Sequence, residues 1–130
     1  ILLERLTYLE NFTLRRREIA KFYTSEINSD WVTKLAAPLE ESAHSYHLYV
    51  ILSDKRDQLT SHLQDRGVQT HIHYPVPISH QKSCLNIARD PAGLEGAEHH
   101  AARCLSLPCH PGMTHDDVES VISAVNSFIG

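Results

Sequence analysis

Residues 67–77, GVQTHIHYPVP, decide the fold of this chain. Gly67 follows a helical pattern, which is where a helix commonly ends on a left-handed glycine. The next side chains alternate between two faces, as in a strand: Val68, Thr70, Ile72 and Tyr74 on one face, and Gln69, His71, His73 and Pro75 on the other. Pro75 and Pro77 then force an extended exit. The pattern predicts a strand with His73 and Tyr74 at its end, where ligands commonly bind. A half-buried strand with two hydrogen-bonded histidines is the simpler alternative.

The segments on either side of this strand predict helices and two further strands. An apolar stripe over residues 1–27 predicts one long helix or two, with a possible break near Asn11 and Thr13. Strand patterns occupy residues 45–52 and 104–107, and helical patterns occupy 54–66, 95–103 and the segment that Thr114 caps. Residues 31–41 and 75–94 have no clear period. This order predicts an α/β fold in which helices flank a short three-stranded sheet.

Length and composition limit the class of protein. The 130 residues suit a single domain over 1–130, and a net charge of −4 does not suggest a nucleic-acid or membrane surface. Three cysteines at irregular spacing favour a reducing, cytoplasmic setting over a disulfide framework. Because Ile1 stands inside a helical pattern without an N-cap, we expect the chain to be a domain fragment of a longer protein.

The residues alone support no strong catalytic motif. His71 and His73 point the same way on the predicted strand and could bind a metal together, but no CxxC or HExxH pattern accompanies them. The three cysteines have no signature that pairs them with a histidine, and no glycine-rich phosphate loop is present. The arginine run 15–17 is typical of a solvated helix face, with a phosphate or carboxylate contact as the more specific alternative.

A succession of motifs along the chain resembles one known family. It comprises RREIA (16–20) with Tyr23, YHLYV (46–50), GVxTxIHYPxP (67–77), LSLPxHP (105–111) and the apolar residues Val118, Val121 and Ile122. The HYPxP and LSLPxHP segments together are specific. The chain is similar to the C-terminal domain of the DegT/StrS-type nucleotide-sugar aminotransferases.

The resemblance implies a fold, a cofactor and a reaction. The fold would be the small C-terminal domain of the aspartate-aminotransferase fold (PLP fold type I). Such enzymes use pyridoxal phosphate (PLP), bonded to a lysine of an N-terminal domain, to transfer an amino group, usually from glutamate, to a keto-sugar on a nucleotide. The family works as a homodimer, often in sugar or cell-surface polysaccharide biosynthesis.

The same resemblance assigns roles to residues of this chain. His73 and Tyr74 would hold the sugar nucleotide, and Arg16 or Arg17 would contact the large domain or an anion. Family members carry a histidine two residues after the second proline of HYPxP. Here Ser79 takes that position, so His80 is the candidate substrate contact.

No lysine of the chain has the context of the family's cofactor lysine. The four lysines are Lys21, Lys34, Lys55 and Lys82. We therefore assign no catalytic residue and no metal ligand to this chain, and expect neither bound PLP nor activity when it is isolated.

Two other functions stay open. The chain could be a stand-alone binding or dimerisation module derived from the same domain, or a metal-binding protein that uses its histidines. If the chain is a domain of an aminotransferase, we expect an exposed apolar patch at Leu2, Leu6 and Leu9. If it is a stand-alone module, we expect a polar surface there.

Overall fold

The computed structural model describes residues 2–84, 86–88 and 90–130, with the side chains of Leu2 and Glu41 left out of the description. The helices and strands, in chain order, are α1 (Leu2–Leu6), α2 (Leu9–Glu26), β1 (Thr33–Lys34), β2 (Tyr49–Leu52), α3 (Arg56–Asp65), α4 (Glu95–Arg103), β3 (Cys104–Leu107) and α5 (His115–Asn126). None of the described helices is both long and apolar enough to cross a bilayer.

The three strands form one antiparallel sheet in the order β1-β2-β3. Thr33 pairs with Leu52, and Leu52 pairs on its other side with Cys104. Buried Tyr49 and Ile51 alternate along β2 with half-buried neighbours, as expected for a strand that is covered on both faces. The predicted fold class, a small α/β unit with a three-stranded sheet flanked by helices, is confirmed.

One predicted strand is wrong, and another strand takes its place. Residues 68–74 contribute only an isolated bridge between His71 and Ser106, while the third strand is β1, inside the 31–41 segment that we expected to be irregular. Tyr74 has a left-handed backbone, with φ of 58°, and Pro75 follows at once. The chain therefore leaves the sheet edge after one bridged residue, because left-handed residues and prolines cannot extend a ladder.

Three predicted element ends differ from the observed ones. The strand predicted over 45–52 begins at Tyr49, since Tyr46 has φ of 47° and interrupts the extended backbone. Helix α3 begins at Arg56, two residues later than predicted. Just before it, the Ser53 hydroxyl accepts a hydrogen bond from the Lys55 backbone N–H. Gly67 has φ of 77°, which confirms the left-handed residue predicted after this helix.

Helices α2, α3 and α5 enclose the core together with the sheet. Ile19 and Tyr23 of α2, Leu63 of α3 and Val125 of α5 are all fully buried in one cluster. Thr114 caps α5 with a capping box, as its position predicted. The core therefore lies between the sheet and the C-terminal half of α2.

The N-terminal helical region breaks earlier than the sequence suggested. The break lies between α1 and α2, near Thr7 and Tyr8, and not near Asn11 and Thr13. The Thr13 hydroxyl donates to the Leu9 carbonyl at 2.9 Å, so this residue is accommodated within the helix. Ile1, where the predicted helix began, lies outside the described residues.

Candidate functional site

His73 lies just beyond the bridge to β3, and two contacts hold it there. Its ring Nδ1 is 2.9 Å from the hydroxyl oxygen of Ser106, a β3 residue that is 5% exposed. The Cys104 thiol lies 3.8 Å from the His73 carbonyl oxygen. His73 is half-buried, so part of its ring is accessible while Nδ1 contacts Ser106.

Tyr74 is placed beside His73 but is much more exposed. The two ring centroids are 6.4 Å apart, and the Tyr74 side chain is 85% exposed. The left-handed backbone at Tyr74 turns the chain outward at this point. The structure therefore brings together the histidine and tyrosine that the sequence singled out, at the edge of the sheet.

His80 is held by a different contact. It ends a short 3₁₀ turn, Ile78–His80, and its Nε2 lies 3.0 Å from a carboxylate oxygen of Glu98 on α4. Both side chains are about half exposed. This ion pair, formed when His80 is protonated, connects the loop over 75–94 to α4. Leu85 and Arg89 of that loop lie outside the described residues.

The two candidate arginines have different environments. Arg17 donates to the carbonyl oxygens of Ser42 and His44, at 2.8 and 2.9 Å, so its guanidinium ties the loop before β2 to helix α2. The Nε of Arg16 is buried and has no hydrogen-bond partner among the described residues. A buried N–H without an acceptor is costly, so Arg16 is the arginine that is suited to a group from outside this chain.

Two adjoining cavities, which the sequence did not predict, lie near Arg17. Their volumes are about 490 and 620 Å³, and Tyr46, Thr24 and Pro38 line both. Neither cavity is lined by His73, Tyr74 or His80. His73 is half-buried and Tyr74 is 85% exposed, so these two predicted substrate contacts lie at the surface of this chain.

Two of the three cysteines, Cys104 and Cys109, are poorly suited to nucleophilic catalysis. Cys104 is buried in β3, and burial raises the pKa of the Cys109 thiol to about 11, despite the opposing effect of Arg16. Because the thiolate is the reactive form, Cys109 is a poor nucleophile at neutral pH. In residues 2–84, 86–88 and 90–130, no group of three or more histidine, cysteine or acidic side chains could hold a metal ion.

Two of the four lysines are engaged in contacts within this chain. Lys34 donates to the carbonyl oxygens of Thr24 and Ile27, at 2.7 and 2.8 Å, and Lys55 lies over the ring of Trp31. Both ammonium groups thus stabilise local structure. A lysine held in this way is not free to form the imine bond that PLP requires.

The fold of this chain matches one part of larger solved aminotransferases. The solved aminotransferase from Brucella abortus superposes with a TM-score of 0.88 at 31% identity, over 96% of this chain and 33% of that protein. The S. venezuelae protein DesV gives a TM-score of 0.86 at 32% identity, over 96% of this chain and 34% of that protein.

The family itself follows from the sequence match over residues 1–126. The chain belongs to the DegT/DnrJ/EryC1/StrS aminotransferase family. It is 33% identical, over 98% of its length, to the dTDP-3-amino-3,6-dideoxy-alpha-D-galactopyranose transaminase of Aneurinibacillus thermoaerophilus, and covers 34% of that enzyme. The chain therefore spans about a third of the relatives it matches, and the family recognised from HYPxP and LSLPxHP is confirmed.

Ser106 is the site residue that sequence reasoning missed. The sequence indicates only that Ser106 belongs to a buried strand, CLSL, within the LSLPxHP motif. The available signal was a lone hydroxyl in an otherwise apolar strand, because a buried hydroxyl usually has a specific hydrogen-bond partner. That partner, His73, is 33 residues away along the chain.

Proposed function

We propose that this chain is the small C-terminal domain of a PLP-dependent aminotransferase that transfers an amino group, from glutamate, to a nucleotide-linked keto-sugar. The observation that carries this proposal is the family match over residues 1–126, in a chain that spans about a third of its relatives. One of those relatives is named as a dTDP-amino-sugar transaminase. Sugar or cell-surface polysaccharide biosynthesis is the process that such an enzyme serves.

His73 and Tyr74 form the sugar-nucleotide contact in this proposal, and His80 extends it. The His73 ring is fixed at its base by Ser106, and the adjacent Tyr74 hydroxyl is exposed. Imidazole N–H and phenol O–H groups suit the hydroxyl and phosphate oxygens of a nucleotide sugar. The open shape of the surface fits a cleft whose other wall comes from a second domain.

The domain contacts are proposed on two observations. The buried, unpaired Nε of Arg16 calls for an acceptor from the large domain or from an anion. Helices α1 and α2 expose Leu6, Leu9 and Phe12, which recur at helical spacing, and an apolar patch of this kind favours burial against another surface. We assign this patch to large-domain or homodimer contacts.

The cofactor and cellular location are proposed on the same basis. PLP would be bound by the longer enzyme, because no lysine of this chain has the context of the family's cofactor lysine. The isolated chain would then be inactive. Three free cysteines, Cys84, Cys104 and Cys109, suit a reducing cytoplasm.

The first test is to read the coding DNA upstream of the codon for Ile1. An open frame that encodes a large domain with a lysine in the family's context is the expected result. A start or stop codon close to Ile1 would contradict the proposal. In that case the chain is expressed alone and cannot carry out transamination itself.

The second test uses the enzyme encoded by that frame. Its two half-reactions, amino loading from glutamate and amino transfer to a dTDP-linked keto-sugar, are measured separately by single-turnover absorbance of the cofactor. His73→Ala and Tyr74→Phe should slow the sugar half-reaction about tenfold or more and leave loading nearly unchanged. His99→Ala, which changes an exposed histidine on α4, is the matched control. Equal loss in both half-reactions would contradict the sugar contact.

A stand-alone dimerisation module is the second candidate function. The exposed Leu6, Leu9 and Phe12 count against it, because a stand-alone module is expected to have a polar surface there. It predicts that the chain is expressed alone as a stable dimer, whereas the aminotransferase proposal predicts a longer polypeptide. Immunoblotting of the source cells for a product of about 15 kDa or about three times that mass separates the two.

A further inference from the structure

The hydroxyl of Ser106 needs a partner inside the protein. All four residues of β3 are buried, and Ser106 is the only one of them with a side-chain oxygen. A hydroxyl that loses its hydrogen bonds to water on burial destabilises the fold unless a protein group replaces them. The Ser106 side chain is therefore expected to donate its proton to a protein acceptor.

The acceptor is the ring nitrogen of His73. Within the described residues, His73 Nδ1 at 2.9 Å is the one hydrogen-bond partner of the Ser106 hydroxyl. If the hydroxyl donates to Nδ1, that nitrogen carries a lone pair and the neutral ring carries its proton on Nε2. The opposite arrangement would leave the Ser106 O–H without an acceptor in a buried strand. The need of the Ser106 hydroxyl for an acceptor therefore selects the Nε2–H tautomer of His73.

The backbone fixes the geometry of this pair. Ser106 and His71 exchange two backbone hydrogen bonds, at 3.2 and 2.8 Å, in the isolated bridge. The Cys104 thiol contacts the carbonyl of His73 from the same strand. This backbone pairing keeps the Ser106 hydroxyl within reach of the His73 ring, whose aromatic neighbours are His71 and Tyr74, at 5.9 and 6.4 Å between ring centroids.

We infer that Ser106 is a positioning residue, which holds His73 as the neutral Nε2–H tautomer and directs a single N–H donor toward an acceptor oxygen of the sugar nucleotide. This inference rests on the proposed function for the identity of the ligand. It specifies that His73 recognises a hydroxyl, carbonyl or phosphate oxygen and does not accept a proton from the ligand in its resting state. The tautomer itself is a property of this chain and is measurable without the ligand.

The decisive experiment is ¹⁵N NMR of the imidazole rings in the 130-residue chain, at a pH where histidines are neutral. His73 should show a protonated Nε2 and an unprotonated, hydrogen-bonded Nδ1. Exposed His99, in the same spectrum, gives the averaged shifts of a ring that exchanges between tautomers. A protonated Nδ1 on His73, or shifts equal to those of His99, would overturn the inference.

Substitutions of Ser106 separate positioning from simple packing. Ser106→Ala should move the His73 shifts toward those of His99, and Ser106→Thr, which keeps the hydroxyl, should restore them. Ser53→Ala changes another buried serine and should leave His73 unchanged. If Ser106→Ala fails to fold, the spectrum of the unmodified chain and that of Ser106→Thr still decide the tautomer. Unchanged His73 shifts in a folded Ser106→Ala chain would refute the positioning role.

The half-reactions of the longer enzyme connect the tautomer to binding. Ser106→Ala should raise the KM of the sugar half-reaction about fivefold to tenfold, with little change in amino loading, and Ser106→Thr should recover most of the loss. The predicted tautomer together with a His73→Ala enzyme that uses the sugar normally would refute the proposed sugar contact and leave the Ser106 assignment intact. A protonated Nδ1 together with a slowed sugar half-reaction in His73→Ala would refute the Ser106 assignment and leave the sugar contact of His73 intact.

Discussion

The two halves of the N-terminal helical region carry the same kind of apolar stripe and end in opposite environments. Ile19 and Tyr23, in the second half, are completely buried. Leu6 and Leu9, in the first half, are 58% and 53% exposed. Both pairs sit at helical spacing, and both were predicted to lie on the apolar face.

The difference arises from what lies opposite each half. The second half of α2 packs on the sheet and on α5, where Val121 and Val125 complete the cluster. No such cluster covers the first half, whose apolar side chains Leu6, Leu9 and Phe12 are exposed among the described residues. Helical periodicity therefore identifies an apolar face, but the tertiary structure decides whether this chain covers it. The exposed Leu6 and Leu9 agree with the patch expected of an aminotransferase domain, while the Leu2 side chain lies outside the description.

The largest expected effect tests this contrast directly within α2. Ile19→Ala removes a fully buried side chain and should lower the free energy of unfolding by about 2–5 kcal/mol. Leu9→Ala, on the exposed half of the same helix, should change it by about 0.5 kcal/mol or less. Urea denaturation of the two variants measures both. Similar losses would mean that the first half is also packed in solution.

A second prediction concerns self-association through the exposed half. If that face binds another copy, Leu6→Lys with Leu9→Lys should raise the dimer dissociation constant at least tenfold, or about 1.4 kcal/mol. Leu39→Lys, which changes a fully exposed leucine on a loop, is the control and should have no such effect. Sedimentation equilibrium gives the constants. An unchanged dimer in the double variant would place the interface elsewhere.

A third prediction concerns the hydrogen bond that Tyr23 makes in the buried half of α2. The Tyr23 hydroxyl donates to the carbonyl oxygen of Pro108 at 2.8 Å, and burial raises the Tyr23 pKa above its usual value. Tyr23→Phe should lower the free energy of unfolding by about 1 kcal/mol, because a partly buried carbonyl loses its donor. Tyr8→Phe, on the exposed half, should have no measurable effect. A neutral Tyr23→Phe in urea denaturation would show that water replaces the lost donor.

The smallest expected effect is a pH dependence at the N-terminus of α5. Hydrogen bonds from the backbone N–H and the hydroxyl of Thr114 hold the pKa of Asp117 below its usual value near 3.8. A lowered folded-state pKa means that this carboxylate stabilises the fold above about pH 4, and that the contribution is lost as the pH falls through the folded value.

The measurement compares acid unfolding of the unmodified chain with that of Asp117→Asn, followed by circular dichroism. The difference in stability between the two should shrink as the pH falls from 5 toward 2. Glu119→Gln, whose parent residue pairs with exposed His115, serves as the charge-matched control. A constant difference across this range would mean that the capping carboxylate is not titrating.

Much of the fold was readable because its signals are local. Gly67 terminated a helix in the left-handed region, and Thr114 capped α5, as their positions predicted. The strand predicted over 68–74 failed because alternation describes two faces but not whether a partner edge is available. Tyr74 and Tyr46 adopt left-handed backbones that their residue type does not announce.

For the candidate site, the sequence supplied residues and the structure supplied contacts. His73 and Tyr74 were found from the HYPxP motif, and their roles toward a sugar nucleotide stay predictions. The two arginines looked equivalent in the sequence, but Arg17 binds loop carbonyls whereas Arg16 retains a buried, unpaired N–H. That difference depends on residues 25 to 27 positions further along the chain, which no local pattern contains.

The sequence by itself determined the family, the helices and the apolar faces, because these depend on motifs and on spacing within one element. Only the tertiary structure decided that Leu9 is exposed while Ile19 is buried, and that β1 completes the sheet in place of residues 68–74. It also brought Ser106 to His73 across 33 residues. Each of these outcomes depends on which distant segments meet, and hence on packing across the whole fold.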